Sequence, residues 1–115
     1  MLETKTRIAT FKEFWKVYVM AHQDQKNRLF HFFATLTSIV LGIAFLVWQK
    51  ITLLILMPVA AYSLAWFGHL FHEKNKPLTW TYPIYSLIAD YKMFLLICLG
   101  KMEREVVKVQ ATTSV

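Results

Sequence analysis

The stretch WFGHLFHEKNKP, residues 66–77, ends the longest apolar run of the chain with two histidines, a carboxylate and an amide. Burying an unpaired polar group in hydrocarbon is costly, so packing alone does not explain such groups there. In a helix over residues 66–75, His69 and Glu73 lie at i and i+4 on one face, with His72 beside them. The stretch therefore predicts metal ligands at a membrane boundary, and by spacing both His72 and Glu73 qualify beside His69.

The composition is that of a membrane protein rather than an ordinary soluble domain. Of the 115 residues, 57% are hydrophobic and 17% are charged, and this length allows one domain, residues 1–115. A net charge of +6 on so apolar a chain fits an anionic membrane surface better than nucleic acid. We therefore expect membrane lipid as a partner and no nucleic acid. Cys98 is the single cysteine, which excludes a disulfide framework.

Two apolar runs predict a transmembrane helical hairpin. Residues 32–48 and 51–72 each reach the roughly 17 to 25 residues that a spanning helix needs. The short polar break between them makes the second run return to the surface that the first one left. His31 and the 66–77 stretch therefore come to the same membrane face, and His22 lies on the polar segment that leads in. All four histidines of the chain are predicted to converge there.

The flanking segments complete an all-α integral membrane protein. Residues 1–21 show apolar side chains at helical spacing and predict an amphipathic helix, either lying in the membrane interface or packed against the other segments. Residues 83–100 predict a third helix, partly or fully embedded, with Asp90 near its middle. An ionisable residue at that depth must face the bundle or water. Residues 108–115 are expected to form a tail.

The distribution of basic residues orients the hairpin. Lysines and arginines cluster before the hairpin and directly after it, while Lys50 alone marks the connection between the two runs. The positive-inside rule then places the histidine face in the cytoplasm. We expect a bacterial inner membrane, or the endoplasmic reticulum in a eukaryote.

The predicted cluster suits a first-row divalent metal. Imidazoles and a carboxylate around open positions are the ligands of non-haem Fe(II) oxygenases, and four histidines are too few for a multi-box di-iron site. Bis-histidine haem ligation by His31 and His69 is a second use, although both lie at helix ends, where no haem-sized pocket is buried. A non-enzymatic small membrane protein, such as a lipid-binding or assembly subunit with structural histidines, is the alternative class.

Three motifs make the chain resemble a known family. His22-x4-Asn27-x3-His31 is followed by GHLFHEKNKP at residues 68–77 and YPIYSLIADYKM at residues 82–93. This pattern is similar to that of small membrane proteins formerly catalogued as a domain of unknown function. Their characterised fungal members are Fe(II)-dependent 2-hydroxy fatty acid dioxygenases, which metabolise phytosphingosine to odd-numbered fatty acids. The resemblance covers roughly residues 18–94.

The resemblance implies an activity and a ligand set. The activity is α-oxidation, in which O2 cleaves the C1–C2 bond of a long-chain 2-hydroxy fatty acid and leaves an acid one carbon shorter. Carried over by position, the implied Fe(II) ligands are His22, His31 and His69. Homo-oligomerisation is left open.

The resemblance also separates the remaining candidates. It implies Glu73 as a ligand or close partner of the iron, and Asn27 and Asn75 as residues that order the site. His72 stands where the family pattern has an apolar residue, so its candidacy as a fourth metal ligand rests on spacing alone. Ala34 stands where many members have glycine, a difference that alters helix packing.

Overall fold

The computed structural model describes residues 7–113, and every regular element within them is helical. The five α-helices of this part of the chain are α1 (Phe11–Met20), α2 (Gln25–Trp48), α3 (Ile51–Gly68), α4 (Pro83–Cys98) and α5 (Met102–Thr113). A π-helical turn, His69–Glu73, extends α3, and a short 3-10 turn, Leu78–Trp80, precedes α4. The prediction of an all-α fold is confirmed, and the expectation for residues 1–6 lies outside the described residues.

Helices α2 and α3 form an antiparallel hairpin around a left-handed residue, Gln49 (φ 55°). Gln25–Trp48 and Ile51–Glu73, with 24 and 23 residues, are each long and apolar enough to cross a membrane. Helix α2 begins earlier than predicted, because the Asp24 side chain accepts hydrogen bonds from the backbone N–H groups of Lys26 and Asn27. Residues 25–31, part of the polar segment that leads into the predicted hairpin, therefore form the first two turns of α2.

Gly68 allows the two helices to approach closely beside the histidines. A Cβ atom at this position would collide with the side-chain oxygen of Asn27 and lie 3.1 Å from Cβ of Phe30. A side chain here would push the end of α3 away from the start of α2. Glycine therefore lets the segments that bear His31 and His69 meet.

Helix α1 packs against the other helices, as one of the two alternatives for it proposes. A buried apolar cluster lies between α1, α4 and α5, and it consists of Phe14, Trp15, Tyr18, Val19, Ala89, Met93, Met102, Val106 and Val109. The Trp15 indole N–H also donates to Glu105 of α5 at 2.7 Å. These contacts bury the apolar face of α1 inside the protein.

Residues 108–113, expected to form part of a tail, belong to α5. Gly100 adopts a left-handed φ of 70°, which ends the α4 segment and turns the chain back. Met102, Val106 and Val109 then recur at helical spacing and are buried. This short helix is stabilised because its apolar face packs against the helices that it covers. Residues 114–115 lie outside the described part.

Candidate metal centre

Three of the four histidines meet in one buried cluster. His22 lies between α1 and α2, His31 lies in the second turn of α2, and His69 begins the π turn after α3. One ring nitrogen of each histidine lies within 4.8 Å of the corresponding atoms of the other two. The three side chains are almost fully buried, with residue exposures of 1%, 4% and 1%. The fold thus brings together groups that are distant in the sequence.

The rings pack edge to face around a common point. Their centroids are 4.4 Å apart for His22 and His31, 4.4 Å for His22 and His69, and 4.7 Å for His31 and His69. The direct contact of His31 with His69 leaves no room for a porphyrin between them, which argues against the haem interpretation. A single small ion is the group that this spacing suits.

Each Nδ1 atom of the cluster is held by an oxygen of the protein. His22 Nδ1 donates to the Tyr18 carbonyl at 2.6 Å, and His31 Nδ1 donates to Asp90 at 3.2 Å. His69 Nδ1 lies 2.6 Å from Oδ1 of Asn75, whose Nδ2 donates to the Ala21 carbonyl. Because that carbonyl can only accept, the amide orientation is determined and His69 Nδ1 is the donor.

Nε2 is therefore the nitrogen that remains to bind a metal in each ring. For His22 and His31 this atom is buried and has no hydrogen-bond partner among the described residues. Buried polar atoms are nearly always paired, so two unpaired nitrogens within one cluster of histidines fit a metal site. Histidine ligands typically donate their other N–H group to a carboxylate or carbonyl, as these do. The residues present fit a metal ion held by three imidazoles.

Electrostatics keeps His22 in the form that binds metals. Burial lowers the pKa of His22 well below its usual value, and the neighbouring His31 and His69 lower it further. The ring is consequently neutral at physiological pH, and its Nε2 lone pair is free. A neutral imidazole is the form in which histidine coordinates metal ions.

Asp90 and Tyr18 support the cluster, although neither is among the predicted site residues. One carboxylate oxygen of Asp90 accepts hydrogen bonds from both His31 Nδ1 and the Tyr18 hydroxyl. The Tyr18 ring stacks on His22 with centroids 3.9 Å apart. Burial, followed by the Asp90 charge, raises the pKa of Tyr18 well above its usual value, so the hydroxyl remains a donor. The signal in the sequence is the carboxylate within an apolar helix, which requires a partner.

Glu73 and Asn27 connect the π turn to the start of α2. Glu73 Oε1 accepts from the Asp24 backbone N–H at 2.8 Å and from Asn27 Nδ2 at 3.2 Å. This carboxylate oxygen is thus engaged beside the cluster. Asn75 acts on the other side, where its side chain joins His69 to Ala21. The structure places all three residues where they hold the segments that bear the histidines.

His72 does not join the other three histidines. Its ring stacks on Phe30 at a centroid distance of 5.2 Å and lies 6.0 Å from that of Phe67. The prediction assumes α-helical spacing after His69, whereas residues 69–73 form a π turn with longer-range backbone hydrogen bonds. A ligand role for His72 therefore has no support from the geometry.

Arg28 holds the linker that bears His22. Arg28 is only 4% exposed, and its guanidinium donates to the carbonyls of His22 and Gln23 at 2.8 and 2.7 Å. The same side chain pairs with Glu103 of α5. This buried arginine connects the site to the last helix.

The fold and the cluster define an all-helical protein with a three-histidine site suited to a metal ion. The chain belongs to the Mpo1-like family, described as 2-hydroxy-palmitic acid dioxygenase Mpo1-like, whose model matches residues 8–102. This match includes all three histidines, Asp90 and Tyr18, and it confirms the family predicted from the motifs. No curated protein and no solved structure matches the chain significantly.

Proposed function

We propose that the protein is an Fe(II)-dependent dioxygenase that shortens long-chain 2-hydroxy fatty acids by one carbon at a membrane surface. The observation that carries the proposal is the set of three buried imidazoles, each held at Nδ1 by a protein oxygen and offering one ring nitrogen within 4.8 Å of those of the other two. Three protein ligands leave coordination positions open for substrate and O2. The description of the family supplies the substrate class.

The chemistry balances without an external reductant. The C1–C2 bond breaks, C1 leaves as CO2, and C2 becomes the carboxyl carbon of the shorter acid. One O2 accepts the electrons that these two carbons lose, and the displaced hydrogens leave in water. A ferrous ion bound by the imidazoles would activate O2, which protein side chains with only paired electrons cannot do.

The residues of the chain orient and shield this site. Asp90 keeps His31 Nδ1 protonated, so the lone pair is on Nε2, and Tyr18 covers one face of His22. Asn75 Oδ1 likewise accepts a hydrogen bond from His69 Nδ1, which leaves the lone pair of His69 on Nε2. The near-complete burial of the three rings excludes bulk water from the side of the cluster that the helices enclose.

A membrane location is part of the proposal. Within the most apolar stretches of Gln25–Trp48 and Ile51–Glu73, 17% and 11% of the residues are buried inside the protein. A core helix of a soluble protein is mostly buried, whereas these helices present extensive apolar surface that a bilayer would cover. The basic residues around the hairpin support a cytoplasmic histidine face.

Metal content and product analysis test the proposal together. Protein purified anaerobically should bind about one Fe(II) per chain, as a mononuclear site requires, and should convert 2-hydroxypalmitic acid to the acid one carbon shorter. His69→Ala should lose the iron, while His72→Phe should retain both iron and activity because its ring packs on Phe30 instead. Iron-loaded protein that releases no shorter acid would refute the proposed activity. Full iron occupancy in His69→Ala would refute the proposed metal site. Protein free of any metal would favour the non-enzymatic alternative.

A further inference from the structure

A groove of about 320 Å³ between α2, α3 and α4 begins beside the histidine cluster. Asp90, which accepts the hydrogen bond from His31, is also part of its wall. Thr35 lines the same end and follows His31 by one helical turn, so both occupy one face of α2. The groove and the metal centre thus share Asp90, which lines the groove and holds Nδ1 of His31.

Away from Asp90 the groove is predominantly apolar. Along α3 its wall runs from Ala65 through Ala61 to Leu54, a length of roughly 16 Å at 1.5 Å per residue. The alanines leave the space that larger side chains would fill. The groove is partly open to the outside, and Leu54 in its wall is exposed.

Two of the four hydroxyls in the wall, those of Ser38 and Tyr91, are paired within the protein. Ser38 Oγ donates to the Thr35 carbonyl at 2.8 Å, so the Tyr91 hydroxyl is the donor in its 3.0 Å contact with Ser38. An apolar ligand can therefore lie against this part of the wall without leaving these groups unsatisfied. The groove has a polar end at Asp90 and an otherwise apolar wall. It therefore matches an amphiphilic ligand with a polar head group and a long apolar tail.

We propose that this groove binds the acyl chain of the 2-hydroxy fatty acid, and that Ala61 sets the chain length accepted. The assignment rests on the proposed function for the identity of the head group. The volume falls in the range of about 300–1,000 Å³ that small-molecule sites occupy. The carboxylate and 2-hydroxyl would lie at the histidine end, and the tail would pass Ala61 toward Leu54. The open side lets the chain enter from the bilayer.

A side chain added at Ala61 tests the groove directly. Ala61→Leu should reduce kcat/KM for 2-hydroxypalmitic acid by roughly 10- to 200-fold, the range by which pockets discriminate small apolar groups. Short-chain 2-hydroxy acids should be affected much less, and the iron content should not change. Ala60→Leu is the matched control, because Ala60 is the neighbouring alanine and lies outside the groove lining. Leu54→Ala, which enlarges the distal end, should shift the preference toward longer chains.

Binding can be measured without turnover. A 2-hydroxypalmitic acid with a diazirine at its terminal carbon should label the wild-type protein near Leu54 and Met57, which line the distal groove. Ala61→Leu should lose this label and Ala60→Leu should keep it. Label outside the groove, or label and chain-length preference unchanged in both Ala61→Leu and Leu54→Ala, would overturn the assignment.

The two proposals fail in different ways. Specific groove labelling in iron-loaded protein that produces no shorter acid would refute the dioxygenase activity and leave a fatty acid site. Normal turnover together with a chain-length preference that no groove variant alters would refute the groove and leave the activity.

Discussion

His31 Nδ1 lies 3.2 Å from Oδ1 of Asp90, which joins the second turn of α2 to the middle of α4. The same carboxylate oxygen accepts the Tyr18 hydroxyl from α1, so three helices meet at one carboxylate. This contact accounts for a charged residue within an otherwise apolar helix. It also determines which nitrogen of His31 faces the candidate metal position.

Replacing Asp90 with asparagine should weaken metal binding without unfolding the protein. Asparagine retains the shape but loses the negative charge that holds the His31 N–H group, and loss of such a partner typically lowers metal affinity by about 10- to 100-fold. Metal titration of the purified variant measures the change. Lys92→Gln is the control on the same helix, because Lys92 lies over the Trp15 ring. Unchanged affinity in Asp90→Asn would contradict the role assigned to the carboxylate.

Glu73 should act by holding the π turn rather than by binding the metal. Glu73→Gln retains an oxygen that can accept from Asp24 N–H and Asn27 Nδ2, so iron content should remain near that of the wild type. Glu73→Ala leaves the buried donor of Asn27 unpaired and should lower stability by about 1–3 kcal/mol. Thermal unfolding and iron analysis of both variants separate the two effects. Complete loss of iron in Glu73→Gln with an intact fold would make Glu73 a ligand.

Gly68→Ala should destabilise the protein and separate the histidines. The added Cβ would meet the Asn27 side chain and Phe30, and overpacking of this kind typically costs about 1–3 kcal/mol. Gly42→Ala is the matched control, since its Cβ would meet Met57 Sδ at an ordinary 3.4 Å, and alanine favours the helix. A lower Tm and lower iron occupancy are expected for Gly68→Ala alone. Equal stability of the two variants would show that the approach of α2 to α3 at Gly68 is not tight.

The two ends of the hairpin should lie on opposite sides of a membrane. Lys50 and Lys76 are both exposed and lie at the connection and beyond the π turn. Single cysteines at these positions should react with an impermeant thiol reagent from opposite sides of intact cells and inverted vesicles. Cys98 is itself exposed, so Cys98→Ser is the required background. Reaction of both positions from the same side would refute the spanning hairpin.

Helix α2 shows where prediction from the sequence stops. Residues 25–31 belong to the segment predicted as polar, since Asn27, Arg28 and His31 interrupt the apolar pattern. In the structure all three are buried, with Arg28 bound to two carbonyls and Glu103, and Asn27 bound to Glu73. Their partners come from distant segments, so no local pattern identifies the first turns of α2.

The sequence by itself determined the helical class, the hairpin and the family. The helices and the hairpin follow from hydrophobic periodicity and from the lengths of the apolar runs. The family follows from motifs within short stretches of the sequence. Only the tertiary structure decided that His72 lies on Phe30, that Nε2 is the free nitrogen, and that Asp90 supports His31 from 59 residues away. The π turn alters the direction of side chains after His69, and the packing of α4 against α2 brings Asp90 to the cluster. Such contacts depend on how helices pack, and the same amphipathic pattern is compatible with several packings.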